Sequence, residues 1–148
     1  MIRTTPAALA ALAILTFAAP AGAQDGGPSD LSRRFRTFEA GVRGEGVTLT
    51  LEKDVLITLD EGANHTEVLQ LAAGATYGVQ GMCDNDCADL DLLLTDSNGE
   101  TVDSDFETDA GPSLTVQESA GGRHTLSIQM AACSIKPCLV GVRVYQLR

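Results

Sequence analysis

One acidic stretch, Cys83 to Asp109, holds the residues whose types and spacing are best suited to chemistry. It contains ten of the twenty Asp and Glu residues of the chain and no Lys or Arg. Carboxylates gathered in this way can bind Ca²⁺, which takes several oxygen ligands in flexible geometry. The candidate calcium ligands are the aspartates of its loop and two predicted strands, namely Asp84, Asp86, Asp89, Asp91, Asp103 and Asp105.

Two other interpretations of this acidic stretch remain open. It can be a solvated surface that keeps the protein in solution, since its spacing does not match the Asp-x-Asp-x-Asp-Gly loop of an EF-hand. It can also supply a pair of aspartates for acid–base hydrolysis, if a cleft raises the pKa of one of them. We favour the solvated surface and predict that no cofactor is required.

The stretch Asp96–Glu100 is a turn signal, and the hydrophobic pattern around it predicts the register of a hairpin. A two-residue loop at Asn98-Gly99 would place Asp103 and Asp105 on the leucine face and bury their charge. A three-residue loop, Ser97–Gly99 with a left-handed glycine, instead places the apolar side chains on one face and the acidic side chains on the other. One face then carries Leu90, Leu92, Leu94, Val102 and Phe106, and the other carries Asp89, Asp91, Asp103 and Asp105.

This register makes Asp91 and Asp105 cross-strand neighbours. Like charges directly opposite each other destabilise a sheet. We therefore expect either water or a cation such as Ca²⁺ between the two carboxylates.

Four cysteines occur as two close pairs. Cys83 and Cys87 are separated by three residues, and Cys133 and Cys138 by four. Two local disulfides are the simplest of the three possible connectivities. A four-cysteine zinc site is the alternative, although it usually has two-residue spacings and a reducing environment.

Neither histidine predicts a catalytic centre. His65 lies in a predicted turn, and His124 lies on the apolar face of a predicted strand. The chain has no His-Glu-x-x-His and no Gly-x-Ser-x-Gly motif. We therefore predict that the protein is not an enzyme.

The N-terminus has the three parts of a cleavable secretory signal peptide over residues 1–23. Arg3 is followed by the apolar run Ala7–Ala19, and Ala21-Gly22-Ala23 is a small-x-small cleavage site. The sequence thus predicts export, to the periplasm or outside the cell, with no membrane span in the mature form.

The net charge of −10 argues against nucleic acid as a partner.

The mature chain divides into two predicted parts. Residues 24–45 have few apolar side chains, and we expect a flexible tether with one short helical turn. Residues 46–148 alternate apolar and polar side chains in about eight short runs with turn residues between them. This period of two predicts an all-β domain, an antiparallel β-sandwich.

From Gly74 onward, a set of motifs covers about half of the chain. Its residues are Gly74-x-x-Tyr77, Cys83–Leu92, Asp96–Gly99, Asp103–Asp105, Pro112, Gly122–Leu126, Cys133, Cys138 and Gly141–Tyr145. This set resembles the bacterial pre-peptidase C-terminal (PPC) domain in its small, stand-alone, exported form with paired cysteines. His124 stands where the family usually has Tyr. The resemblance implies a jelly-roll-like sandwich that accompanies secreted hydrolases without being catalytic, and calcium binding in some relatives.

The function predicted from these features is that of a non-catalytic exported accessory module. Its partner would be a protein or polymer of the cell envelope or the extracellular space. The alternatives are a calcium-stabilised structural protein of the envelope and a hydrolase that uses the aspartate cluster.

Overall fold

The computed structural model describes residues 26–148. The predicted signal peptide, residues 1–23, lies outside this range. One helix, α1, spans Pro28–Gly44. Eight strands follow it: β1 Leu49–Leu59, β2 Asn64–Leu71, β3 Thr76–Cys83, β4 Cys87–Thr95, β5 Thr101–Asp105, β6 Ser113–Val116, β7 Gly122–Cys133 and β8 Cys138–Leu147. No helix of the described range is long and apolar enough to cross a membrane.

The strands form two four-stranded sheets. The first sheet has the order β1-β8-β3-β6 and the second the order β2-β7-β4-β5. Every neighbouring pair is antiparallel. Two four-stranded antiparallel sheets with these strand orders form a jelly roll. The predicted all-β antiparallel sandwich is confirmed.

The core lies between the two sheets. Alternate residues of each strand point inwards, because successive side chains of a strand face opposite ways. The second sheet contributes Leu90, Leu92, Leu94, Leu126, Ile128 and Met130, and the first contributes Val79, Leu114, Val140, Val142 and Val144, all nearly inaccessible to solvent.

Residues 28–44 are not the tether that we expect from the sequence; this prediction is wrong. They form a 17-residue helix with Pro28 in its first turn. Leu31 and Phe35 are buried and, with Phe38 beside them, pack on the outer face of the first sheet. Their spacing places them on one side of a helix, so a narrow apolar stripe is sufficient to dock it.

Arg143 of β8 holds the helix against this sheet. Its guanidinium lies 4.5 Å from the ring centroid of Phe35 and donates to Glu39 (2.9 Å) and Asp54 (3.0 Å). The Tyr145 hydroxyl donates to the same Glu39 oxygen (2.9 Å). Gly141 provides room for the helix, since a Cβ there would lie 2.7 Å from the Phe35 ring.

Candidate binding surface

The turn of the acidic hairpin is the predicted one. The Asp96 amide donates to the Glu100 carbonyl (2.9 Å), the Gly99 amide donates to the Asp96 carbonyl (3.1 Å), and Gly99 is left-handed, with φ of +85°. The Asp96 carboxylate accepts the amides of Asn98 and Glu100 at 2.8 and 3.0 Å. These hydrogen bonds lower the pKa of Asp96.

The register beyond this turn differs from the prediction. A bulge at Val102 shifts the ladder by one residue, so that Asp103 pairs with Leu94 and Asp105 with Leu92. Residues directly opposite each other share a face of the sheet. Both aspartates therefore lie on the leucine face, whereas Val102 and Phe106 are 39% and 61% exposed. The predicted face assignment of these four residues is wrong.

The two aspartates are tolerated on this face because they lie at the rim of the sandwich and bind the other sheet. The Asp105 carboxylate accepts the Ser113 amide and the Asp103 carboxylate accepts the Thr115 amide, both at 2.8 Å. Ser113 and Thr115 belong to β6, the edge strand of the first sheet. Asp103 and Asp105 thus connect the two sheets at one open side of the sandwich. They also accept hydrogen bonds from amides of β6 that would otherwise be exposed at the edge of the first sheet.

A salt bridge closes the opposite side. Lys53 of β1 lies 2.7 Å from Glu67 of β2, and the same Glu67 carboxylate lies 2.9 Å from the His65 ring. Hydrogen bonds from His65 and Lys53 lower the pKa of Glu67. His65 therefore lies within a strand and has a partner, and its predicted position in a turn is wrong. His124 is buried, as predicted, and its Nδ1 lies 3.1 Å from the Gly122 carbonyl.

The six candidate calcium ligands do not converge on one point. Asp84 accepts the Leu139 amide at 2.7 Å, and Asp103 and Asp105 accept amides of β6. The prediction that Asp91 and Asp105 are directly opposite each other is wrong, because Asp105 pairs with Leu92; on its other side, Asp91 pairs with Gln129 of β7. Burial and the neighbouring carboxylates of Asp89 and Asp105 raise the pKa of Asp91. Within residues 26–148, no group of three or more His, Cys, Asp or Glu side chains is placed to hold a metal ion.

Metal removal is therefore expected to leave the thermal midpoint of the protein unchanged. Melting curves in EDTA and in excess Ca²⁺ should coincide, because Asp103 and Asp105 already bind backbone amides. A midpoint that rises with Ca²⁺ and falls again with EDTA would contradict this and restore the calcium hypothesis.

Removing the two rim carboxylates is expected to weaken the sandwich. The double variant Asp103→Ala, Asp105→Ala should lose about 1–3 kcal/mol of unfolding free energy, because two charge-assisted hydrogen bonds are lost at a solvated edge. Urea denaturation measures this loss, and hydrogen exchange should accelerate at Ser113 and Thr115. Asp60→Ala, at an exposed residue, is the control. Unchanged exchange at both amides would exclude the proposed role of the carboxylates.

Both predicted disulfides are present, and each lies where the chain passes from one sheet to the other. Cys83–Cys87 links the end of β3 to the start of β4, and Cys133–Cys138 links β7 to β8. Cys87 and Cys133 are paired in the β4–β7 ladder. The two cystine loops therefore lie side by side at one end of the sandwich, which we call the cystine end.

The loop of the second disulfide is fixed at several points. The amide and the hydroxyl of Ser134 both donate to the Asp86 carbonyl at 2.8 Å. The Glu61 carboxylate accepts the Cys133 amide (3.2 Å) and lies 3.5 Å from the Lys136 ammonium group. Ile135, at the tip, is 63% exposed, the largest exposure among the large apolar side chains of the described chain.

A concavity of about 340 Å³ lies beside Ile135, between the two cystine loops and the start of α1. Its lining includes Asp84, Asp86, Lys136, Pro137 and the stretch Gly26–Pro28. One carboxylate oxygen of Asp84 is buried without a hydrogen-bond partner. The cystine end thus combines a fixed apolar tip with an acidic hollow. The sequence predicted both loops, but it gave no signal that Ile135 is exposed.

No family model and no curated protein sequence matches the chain. Among solved structures, the chain is similar to PliG of Aeromonas hydrophila, a periplasmic lysozyme inhibitor of g-type lysozyme. The match covers 70% of this chain and 90% of that chain, with 13% identity and a TM-score of 0.42. A likeness of this size carries no argument about function, and the resemblance to the PPC domain stays a prediction.

Proposed function

We propose that the protein is a non-catalytic exported binding module, resembling PPC domains, that binds another protein through its cystine end. The observation that carries this proposal is the exposure of Ile135 on a loop that a disulfide and four polar contacts hold in place. Ile135 has 63% of its surface exposed to water, and covering this apolar surface with a partner lowers the free energy of the complex.

The fixed loop favours binding for a second reason. A flexible loop loses conformational freedom when it is bound, and this loss opposes association. The Cys133–Cys138 loop is already ordered in the free protein, because Ser134 bonds to Asp86 and Cys133 bonds to Glu61. More of the interaction energy is therefore available for affinity.

The charge around Ile135 indicates the chemistry of the partner. Asp84 and Asp86 line the adjacent hollow, and the Lys136 ammonium group, which belongs to another lining residue, lies beside Glu61. A negative rim around an apolar tip fits a protein that has an apolar pocket bordered by Lys or Arg, because complementary charges favour encounter and fix orientation.

Two further features support export and a non-catalytic role. Disulfides form and persist in oxidising compartments such as the periplasm, and the four cysteines form two of them. His124 is buried against a backbone carbonyl. A general base must instead reach a proton of the substrate.

Site-specific photo-crosslinking in the exporting cell tests the proposal. A photoreactive residue at position 135 is expected to form a discrete crosslink to one protein, which mass spectrometry identifies. The same residue at position 56 is the matched control, since Leu56 is also exposed (53%) but lies on β1 in the first sheet. Identical crosslinks at both positions, or none at position 135, would refute a binding role for the cystine end.

A further inference from the structure

The outer face of the second sheet is lined by hydroxyl and apolar side chains. Its two central rows run across all four strands in ladder register. We call these rows the hydroxyl face: Thr66, Ser127, Leu93 and Ser104 form one row, and Val68, Thr125, Thr95, Thr101 and the bulge residue Val102 form the other. Each of these side chains is exposed or half-buried.

The hydroxyl face carries no ionisable group, although the chain has a net charge of −10. Ionisable side chains occur at its two ends instead. Asp91 lies one row beyond Leu93 on β4, and Arg123 lies one row beyond Thr125 on the neighbouring β7, at the opposite end. Neither residue has an ion pair within residues 26–148.

This pattern is complementary to itself. Ser and Thr hydroxyls both donate and accept hydrogen bonds, so a row of them can pair with an identical row. In a dimer with a two-fold axis, the same patch lies on both subunits. Consider a two-fold axis that lies in the interface, between the two rows, and runs perpendicular to the strands. It would place the Asp91 end of each copy over the Arg123 end of the other copy, so the same contact would form twice.

We propose that the hydroxyl face binds a second copy of this chain, with Asp91 of each copy paired to Arg123 of the other. The environment of Asp91 is compatible with this arrangement: burial, together with the carboxylates of Asp89 and Asp105, raises the pKa of Asp91, and a cation from a second chain would offset the repulsion between the carboxylates. Leu93 supplies apolar contact on a central strand, and Val68 and Val102 supply it on the two edge strands.

The size of the face sets the strength of the dimer. The four rows from Asp91 to Arg123 extend over about 27 Å along strands that lie about 4.8 Å apart, and β5, with 5 residues, covers only part of this length, so the face presents somewhat under about 500 Å² per copy. Two such faces bury roughly 1,000 Å², which is at the low end of specific interfaces. A weak dimer that forms reversibly is therefore expected. It does not use Ile135 or the cystine loops, so it stands or falls independently of the proposed function.

Charge reversal tests this interface by sedimentation equilibrium. The protein obtained by expressing the full chain is expected to dimerise reversibly as its concentration rises. Asp91→Arg alone and Arg123→Asp alone should each raise the dissociation constant at least about tenfold, since each places like charges at both ends. Mixing the two variants should restore dimers, because a heterodimer regains two opposite-charge contacts, and the double variant should dimerise like the wild type.

Charged residues outside the hydroxyl face provide the controls for this measurement. Arg36→Asp and Glu52→Arg change exposed charges elsewhere and should leave the dissociation constant unchanged. Thr66→Lys, within the face, should weaken the dimer and serves as a second variant if a charge reversal fails to fold. A wild type that stays monomeric at the highest soluble concentration, or single variants that do not recover on mixing, would overturn the proposal.

Discussion

Replacing Ile135 with Asp is expected to weaken binding to the protein crosslinked at position 135 by at least about 30-fold, equivalent to about 2 kcal/mol or more. Apolar anchors that fill a partner's pocket carry much of the binding free energy of an interface. Ile135 has the exposure for this role, and its loop is already ordered. A carboxylate at that position would enter the pocket without a partner, which adds a desolvation penalty.

The affinity measurement needs a variant with the same chemical change at another exposed site. Leu56→Asp provides it, because Leu56 is 53% exposed and lies on β1. This variant should bind as the wild type does, and both variants should keep the wild-type melting midpoint. Equal affinities for Ile135→Asp and the wild type would show that the cystine end is not the binding surface.

Replacing Arg143 with Met is expected to lower the free energy of unfolding by about 3–5 kcal/mol. The Arg143 and Glu39 side chains are 15% and 14% exposed, and their ion pair lies between α1 and the first sheet. Removing one member of such a pair leaves the other charged and poorly solvated. The stacking of the guanidinium on Phe35 is lost at the same time.

The geometry of the guanidinium explains why lysine should restore little. Arg143 contacts Glu39, Asp54 and the Phe35 ring at once, and an ammonium group lacks the planar, forked donors for this. Urea denaturation of Arg143→Met and Arg143→Lys measures both effects. Arg36→Met, on the exposed side of α1, should stay within about 0.5 kcal/mol of the wild type. A loss of similar size in Arg36→Met would show that charge removal alone weakens the helix.

In the acidic hairpin, local residues set the turn and distant residues set the register. Asp96–Glu100 specifies its own turn, because a left-handed glycine and the Asp96 carboxylate satisfy the loop locally. The register beyond the turn is set by contacts that the hairpin sequence does not contain. Asp103 and Asp105 lie on the leucine face because amides of β6, in the other sheet, donate hydrogen bonds to their carboxylates there.

Helix α1 also depends on residues that are distant in the sequence. Four apolar side chains, Leu31, Phe35, Phe38 and Val42, recur at helical spacing among many charged ones. Few apolar residues indicate a tether when the segment is considered alone. The helix is held by β8, more than a hundred residues away in the sequence, through Arg143 and Tyr145.

The sequence by itself determined the features that depend on near neighbours. These are the strands from their period of two, the turn at Gly99 and the two local disulfides. Only the tertiary structure decided the docking of α1, the closure of the sandwich rim by Asp103 and Asp105, and the exposure of Ile135. The physical reason is that burial, ion pairing and accessibility depend on which distant strands come together, whereas periodicity and turn chemistry act within a few residues.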